Sequence, residues 1–456
     1  MTDKKKIITA GLWIIVIYGL SQLLRLGSNL IITRLLVPEM FGIMAIVQIV
    51  IRGIEMFSDL GLWAFIVRHK NGTDKHIVDT VWTIQVIRGW AMFLAILCLA
   101  VLFLIIKNHF QLNLKGVFAE EILPYLLIVS AVTAVFNGFK SMAPAIMSRD
   151  LKRGKLELIE LFSQFAGIAA MITWALKAPS IWALVSAGIV SSIMNVILTY
   201  TVFPFRHQFS WDKSVVKEVY NFGKWIFLAS ALTYIAYQGD RLFFGIYISP
   251  AQLGIYGIAF MLASTFIALA QQIVFKVWFP VLSKTANENK SLLKSKYYKI
   301  RTINDSALFL ISGALIALAP VIINILYDSR YHEAGWMLQI LAISLIGEAL
   351  AMVGAESLSA LGITKYRVKI MLVKAIFLLA GLPIIFNYFG FIGAIYWTAI
   401  NTFFGLPVLY YELYKNKLLN FFKEIRWLPI VFLGYWIGKL ISEHLIQFFP
   451  LNIIVT

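Results

Sequence analysis

The stretch QGDRLFFGIYISPAQLGIYGIA, residues 238–259, sets an acid beside a base within an apolar run, turns on Ser-Pro and opens a second apolar run. The same pattern stands 212 positions earlier, in LGSNLIITRLLVPEMFGIMAIV at residues 26–47, without the charge pair. Aligned without a gap, residues 11–46 and 223–258 share ten identities in 36 positions. Gly11/Gly223, Trp13/Trp225, Gly27/Gly239, Pro38/Pro250 and Gly42/Gly254 carry the register. Glycine and proline punctuate segments, whereas matched Leu and Ile arise from apolar composition alone. The chain therefore reads as a duplicated unit whose two copies have diverged in polarity.

The 456 residues are 60% hydrophobic and 14% charged, with a mean hydropathy of +0.81. A water-soluble surface cannot absorb so much apolar area. Long, weakly charged apolar runs recur at the ~20 residues a helix needs to cross hydrocarbon. The pattern is that of an all-α polytopic membrane protein, since a β-barrel would alternate over short strands. Thirteen spans are expected, near 8–35, 39–66, 79–106, 122–147, 157–177, 180–203, 222–248, 251–282, 302–327, 334–360, 369–388, 391–413 and 428–448. The first is too long for a cleaved signal peptide and lacks a small-residue cleavage site. Each repeat copy opens six spans, so both halves face the same way. That places the pseudo-symmetry axis along the membrane normal, as in transporters that hold substrate between two rocking halves. The expected divisions are a first lobe at 1–206, a cytoplasmic linker at 207–218, a second lobe at 219–414 and a C-terminal part at 415–456.

A net charge of +17 in a soluble chain would suggest nucleic acid, but here the basic residues cluster between apolar runs. One side of the membrane collects 28 Lys and Arg, among them Lys374 and Arg301, against five on the other. This bias assigns the N-terminus and the basic loops to the cytoplasm, and no nucleic-acid partner is expected. The short outer loops argue against a polymerase or glycosyltransferase, and no P-loop, GxSxG or HExxH stretch supports ATP hydrolysis or proteolysis. The single Cys98 permits no internal disulfide, and the six His lie in loops or near span ends, so neither a metal site nor a catalytic residue is expected.

Ionisable groups in hydrocarbon cost at least ~2.5–3.5 kcal/mol and call for a partner or an aqueous cavity. In the first half these are Arg25, with Gln22 and Asn29 on its helix face; Arg52, Glu55 and Asp59 at i, i+3 and i+7; and Arg88. The second half carries Asp240, Arg241, Glu348 and Glu356. Each pair also fits a structural role: Arg52–Glu55 as a pair within one helix, Asp240–Arg241 as a brace to a neighbour. Lys140 and Lys276, near span ends, fit snorkelling to the interface. The balance makes the first half the more cationic. Guanidinium suits phosphate by its fixed fork of donors. A phosphate-bearing substrate is therefore expected at Arg25, Arg52, Arg88 and Arg241. Gln22, Asn29, Glu55, Asp59, Asp240, Glu348 and Glu356 are the expected polar or coupling residues. No cofactor is expected beyond a coupling proton or sodium ion.

The runs RLLVPEMFGIMAIVQIVIRGIEMFSDLGLWAFIV and FGKW…GDRLFFGIYISPAQLGIYGIA resemble the polysaccharide transporter family. That family belongs to the multidrug/oligosaccharidyl-lipid/polysaccharide flippase superfamily and includes O-antigen and exopolysaccharide flippases. The resemblance implies two six-helix lobes around a central cavity. It implies a cargo of oligosaccharide on undecaprenyl pyrophosphate, moved from the cytoplasmic to the outer leaflet of a bacterial inner membrane. Polysaccharide polymerase or export proteins are the implied partners beside membrane lipids. Lipid II flippases of the superfamily use arginines of their first helices for pyrophosphate, and Arg25 and Arg52 stand at comparable helix and depth. Relatives have twelve or fourteen spans. Residues 450–456 read either as the stub of a fourteenth span or as the end of a chain whose thirteenth is peripheral. A drug antiporter of the same superfamily is the competing reading.

Overall fold

The computed structural model describes residues 3–110, 115–149, 154–203 and 205–448, with side chains from residue 16 except at 108–110, 149, 225 and 448. The helices in chain order begin with α1 (Asp3–Leu35), α2 (Pro38–Phe57), α3 (Leu62–Arg68), α4 (Lys75–Phe110), α5 (Leu123–Gly138) and α6 (Ala143–Arg149). They continue with α7 (Gly154–Lys177), α8 (Trp182–Val202), α9 (Lys213–Tyr247), α10 (Pro250–Ile273), α11 (Phe279–Glu288) and α12 (Lys290–Leu326). The last are α13 (Ala334–Leu341), α14 (Ile343–Ala360), α15 (Lys365–Ile400), α16 (Leu406–Lys415), α17 (Phe421–Ile425) and α18 (Ile430–Phe448). Two compact units form: one runs to Tyr234 and includes Phe244–Leu253, the other takes Ile235–Phe243 and the chain from Gly254.

The duplication is written into the helix boundaries. α1 ends at Leu35 and α9 at Tyr247, and α2 and α10 begin on Pro38 and Pro250, both pairs 212 residues apart. Proline suits a first helical turn because its missing N–H would have no partner there. The second helix of each copy also loses regular geometry, about one turn further along in the second copy than in the first. α2 stops at Phe57 and resumes as α3 at Leu62, while α10 passes into a π-helical turn at Val274–Trp278.

Nine helical segments among the described residues are long and apolar enough to cross a membrane, and the shorter Leu123–Gly138 is apolar too. α1 and α9 have the length but are interrupted by polar side chains, including those singled out above. α15 is continuous only nominally. Gly390 (φ 64°, ψ −159°) breaks it in a region that glycine alone occupies readily, which separates the expected spans 369–388 and 391–413. Trp397 then folds back and donates its indole N–H to the Phe377 carbonyl at 3.0 Å. Leu23, Ile384, Phe432 and Trp436 stand exposed, as expected for side chains that face lipid. The chain is a multi-pass membrane protein.

Helix α18 covers the thirteenth expected span and is mostly exposed. α18 packs along α12 through Gly434 and Gly438, spaced as GxxxG, against Gly313. A Cβ on Gly434 would strike the Leu310 carbonyl, and one on Gly313 the Val431 carbonyl. Small residues let backbones approach where lipid supplies no hydrophobic drive. Gly434→Leu is expected to cost about 1–3 kcal/mol by overpacking, read as a lowered unfolding temperature in detergent. Residues 450–456, the possible stub of a further span, lie outside the described residues.

The linker before α9 is fastened to α4. His207 stacks on Trp82 at 5.2 Å, and its Nε2 accepts the Met142 N–H at 3.1 Å. Its Nδ1 lies 3.5 Å from Asp79 Oδ1. Two further pairs hold the start of α9, His76 with its N-cap Asp212 at 2.6 Å and His69 with Glu218 at 3.1 Å. Burial pushes the His207 imidazole below its usual value, although Asp79 pulls the other way. With a depressed folded-state pKa, its contribution is complete above the ordinary imidazole pKa and is lost as pH falls through the lowered one. Acidification from pH 7 to 5 should therefore lower the unfolding temperature, and His207→Gln should flatten that dependence.

Candidate functional site

In the first unit, the candidate residues gather where α2 breaks. Arg52 pairs with Glu55 at 2.7 Å along α2 and still keeps 61% of its side chain exposed. Arg88, from α4, donates to the Glu55 carbonyl at 2.7 Å and to Ser58 Oγ at 3.1 Å. It thereby satisfies the carbonyls left open at a helix C-terminus, where a cation is also favoured. Asp59 departs from expectation. It does not continue the Arg52–Glu55 face, because the helix has already ended. Its Oδ1 accepts the Gly61 N–H at 2.9 Å, its Oδ2 the Ser230 hydroxyl at 3.2 Å, and Gly61 turns the chain at φ 62°. The i, i+7 reasoning assumed an unbroken helix, which an aspartate-glycine turn prevents.

On α1, Arg25 is exposed and Asn29 half-buried, while Gln22 places a buried carbonyl oxygen with no hydrogen-bond partner among the described residues. The neighbouring Ser21 bonds to Gln164 of α7 and so fixes the rotation of α1. The first unit thus presents Arg25 and Arg52 outward, while Arg88 has two of its donors committed to the backbone and hydroxyl of the α2 end.

In the second unit each of the three acids has a defined partner. Asp240 and Arg241, adjacent on α9, point apart. Asp240 accepts the Tyr256 hydroxyl at 2.6 Å, and Arg241 lies over the Phe260 ring at 4.2 Å. They do not pair with each other, since neighbouring residues on a helix diverge by about 100°. Glu356 pairs with Arg367 at 2.6 Å. Glu348 receives Lys374 Nζ at 3.0 Å, with side-chain exposures of 8% and 5%. Tyr237, the repeat counterpart of Arg25, stands 5.3 Å from the same ammonium. Tyr237, Asp240, Gln271, Glu348, Lys374 and Thr398 line a cavity of about 250 Å3, while Arg241, Glu356 and Arg367 are not in its wall.

Lys374 and Arg301 correct the reading of the basic loops. Both counted there as surface charge, and both are buried. Arg301 of α12 holds Asp305 at 2.7 Å, donates to the Tyr297 hydroxyl at 2.7 Å and pairs with Glu424 of α17. The signal for Lys374 was present in KIMLVKAIFLLAG, where it interrupts an apolar run rather than preceding one.

Comparison with known proteins gives four findings. A family described as "Polysaccharide biosynthesis protein" matches residues 31–336. An uncharacterized membrane protein of the cps region of Klebsiella pneumoniae is 22% identical over 93% of this chain and 87% of its own length. The lipopolysaccharide biosynthesis protein WzxC of Escherichia coli is 19% identical over 75% of this chain and 68% of its own. Among solved structures, the lipid II flippase MurJ in an inward closed conformation superposes with a TM-score of 0.69 at 16% identity, covering 94% of this chain and 98% of that one. At that identity the likeness establishes the fold.

Proposed function

The chain belongs to the polysaccharide biosynthesis protein family, and from that premise we propose that it flips oligosaccharide carried on undecaprenyl pyrophosphate. Cargo passes from the cytoplasmic to the outer leaflet of a bacterial inner membrane, with the N-terminus in the cytoplasm as the basic-residue bias indicates. The observation that carries this reading is the contrast in charge between the units. The first turns the guanidiniums of Arg25 and Arg52 outward, and the second turns Glu348 to the buried Lys374, Glu356 to Arg367 and Asp240 to the Tyr256 hydroxyl. Exposed guanidiniums offer paired donors to a pyrophosphate, and the permanent charge survives a low-dielectric site. A cationic drug would instead need uncompensated carboxylates.

Arg25 and Arg52 take the pyrophosphate in this reading. Arg88 and Glu55 hold the broken end of α2 that presents Arg52, and Arg241 is the reserve anion contact. The acids of the second unit are the coupling residues in this reading, and sodium is disfavoured at Glu348 because Lys374 already brings the positive charge it would supply.

Liposomes test this directly. Undecaprenyl pyrophosphate bearing a short oligosaccharide should cross faster with the protein than without it. Arg25→Ala and Arg52→Ala should each slow it at least tenfold, the effect of losing one charge-assisted contact of about 1.5–3 kcal/mol. Export of a cationic dye without movement of the lipid would give the protein to the antiporter class.

A further inference from the structure

A second pocket lies wholly within the first unit and serves none of the roles above. It has a volume of about 400 Å3, larger than the cavity of the second unit and within the ~300–1,000 Å3 range of small-molecule sites. Its wall is formed by Trp63 of α3, Lys140 between α5 and α6, Glu160 of α7, and Ser191, Asn195 and Thr199 of α8. Local structure explains why it is open and polar. Gly167 brings α7 against the Ala187 carbonyl and Ser191 of α8, so the two helices touch there. Beyond that contact, Ser191, Asn195 and Thr199 recur every four residues on one face of α8. Lys140 is set by Gln85, whose side-chain amide donates to the Gly138 and Lys140 carbonyls at 2.9 Å each.

We propose that this pocket seats one sugar ring of the lipid-linked cargo on the cytoplasmic side, an assignment that rests on the flippase reading. The Lys140 ammonium, the Ser191 hydroxyl and the Asn195 amide are half-buried and make no hydrogen bond to any described residue. Their chemistry matches a ring of hydroxyls: the amide and the hydroxyl both donate and accept, the ammonium only donates, and Glu160 only accepts. Trp63 offers an apolar face of the kind that sugar C–H faces stack on. A phosphate group is disfavoured by the Glu160 carboxylate, and an acyl chain by the density of polar groups. The ligand is therefore a neutral hydroxylated ring, and Lys140 is a recognition residue instead of a snorkelling one.

The test is a binding titration of the purified full-length protein in nanodiscs. The probes are bare undecaprenyl pyrophosphate and the same lipid bearing a single glucose, galactose or N-acetylglucosamine. At least one sugar-bearing lipid should bind about five- to tenfold more tightly than the bare lipid, the yield of one or two hydrogen bonds. Trp63→Ala and the double variant Ser191→Ala/Asn195→Ala should each remove that gain and leave affinity for the bare lipid unchanged. Trp63→Phe should keep most of it, which separates lost stacking from lost folding. A gain that is absent, or that survives in both variants, overturns the pocket assignment while Arg25- and Arg52-dependent binding of the bare lipid preserves the flippase reading. Free monosaccharide binding as tightly as its lipid-linked form overturns the assignment to cargo. Binding of neither lipid overturns both readings.

Discussion

Arg301→Met is expected to destabilise the protein by about 3–5 kcal/mol, more than any lipid-facing substitution, because it leaves two buried carboxylates without their cation. Arg301 is 1% exposed, and Asp305 and Glu424 are equally enclosed. The Tyr297 hydroxyl accepts from Arg301 and donates to Glu424 at 3.0 Å, and Tyr298 donates to the same carboxylate at 2.8 Å. Lys294 adds a bond to the Leu419 carbonyl at 3.1 Å. Together these groups clamp the segment from Leu418 to Glu424 onto α12, just ahead of the helix that packs through Gly434 and Gly438. Loss of the cation should therefore free that segment first. Limited proteolysis would detect early cutting near residues 416–428 at temperatures where the rest resists. Adding Asp305→Asn and Glu424→Gln should recover most of the loss, since removing a whole buried ionic set is often nearly neutral. Equal stability of wild type and Arg301→Met would mean the carboxylates reach water and the clamp is unimportant.

The architecture was legible because it depends on long-range averages. Apolar length marks a span wherever it falls, and the 212-residue offset reappears in the ends of α1 and α9 and the proline starts of α2 and α10. What stayed hidden depends on single bonds. Asp59 looked like one more turn of a polar face, since nothing apolar distinguishes a helix from a helix about to turn on Asp-Leu-Gly. Lys374 and Arg301 were assigned by distance from the apolar runs, which cannot tell a solvated charge from one whose partner is 26 or 123 residues away. The pocket of the first unit escaped for the opposite reason. Ser191 and Asn195 are unremarkable alone, and only the packing of α7 against α8 makes them neighbours of Trp63 and Lys140. Arg25 and Arg52 stood out in the sequence because a guanidinium within an apolar run is conspicuous by itself, and the structure exposes both.

Lys374→Met should convert the second unit from one whose Glu348 has its own cation to one that requires an outside cation. In the wild type the ammonium sits 3.0 Å from Glu348, with Tyr237 nearby and Asp240 bonded to the Tyr256 hydroxyl, so Glu348 needs no added positive charge. Without Lys374, Glu348 is left as a buried carboxylate, a loss of about 3–5 kcal/mol unless it takes up a proton or binds a metal cation. The cavity of about 250 Å3 has room, and Asp240, Thr398 and Gln271 supply further oxygens. The variant should therefore be stabilised by sodium, its unfolding temperature rising with sodium but not with choline at equal ionic strength. A ligand bound only by the folded state stabilises by about 2.7 kcal/mol at a hundred times its Kd. The wild type should ignore the exchange. Lys374→Met/Glu348→Gln should restore stability without restoring any response to sodium, because both the buried charge and its ligand site are gone. If transport also turns sodium-dependent in Lys374→Met alone, the lysine is the resident cation that frees the wild type from sodium. A wild type that responds to sodium as strongly as the variant would place its cation elsewhere and reduce the Lys374–Glu348 pair to a brace between α15 and α14.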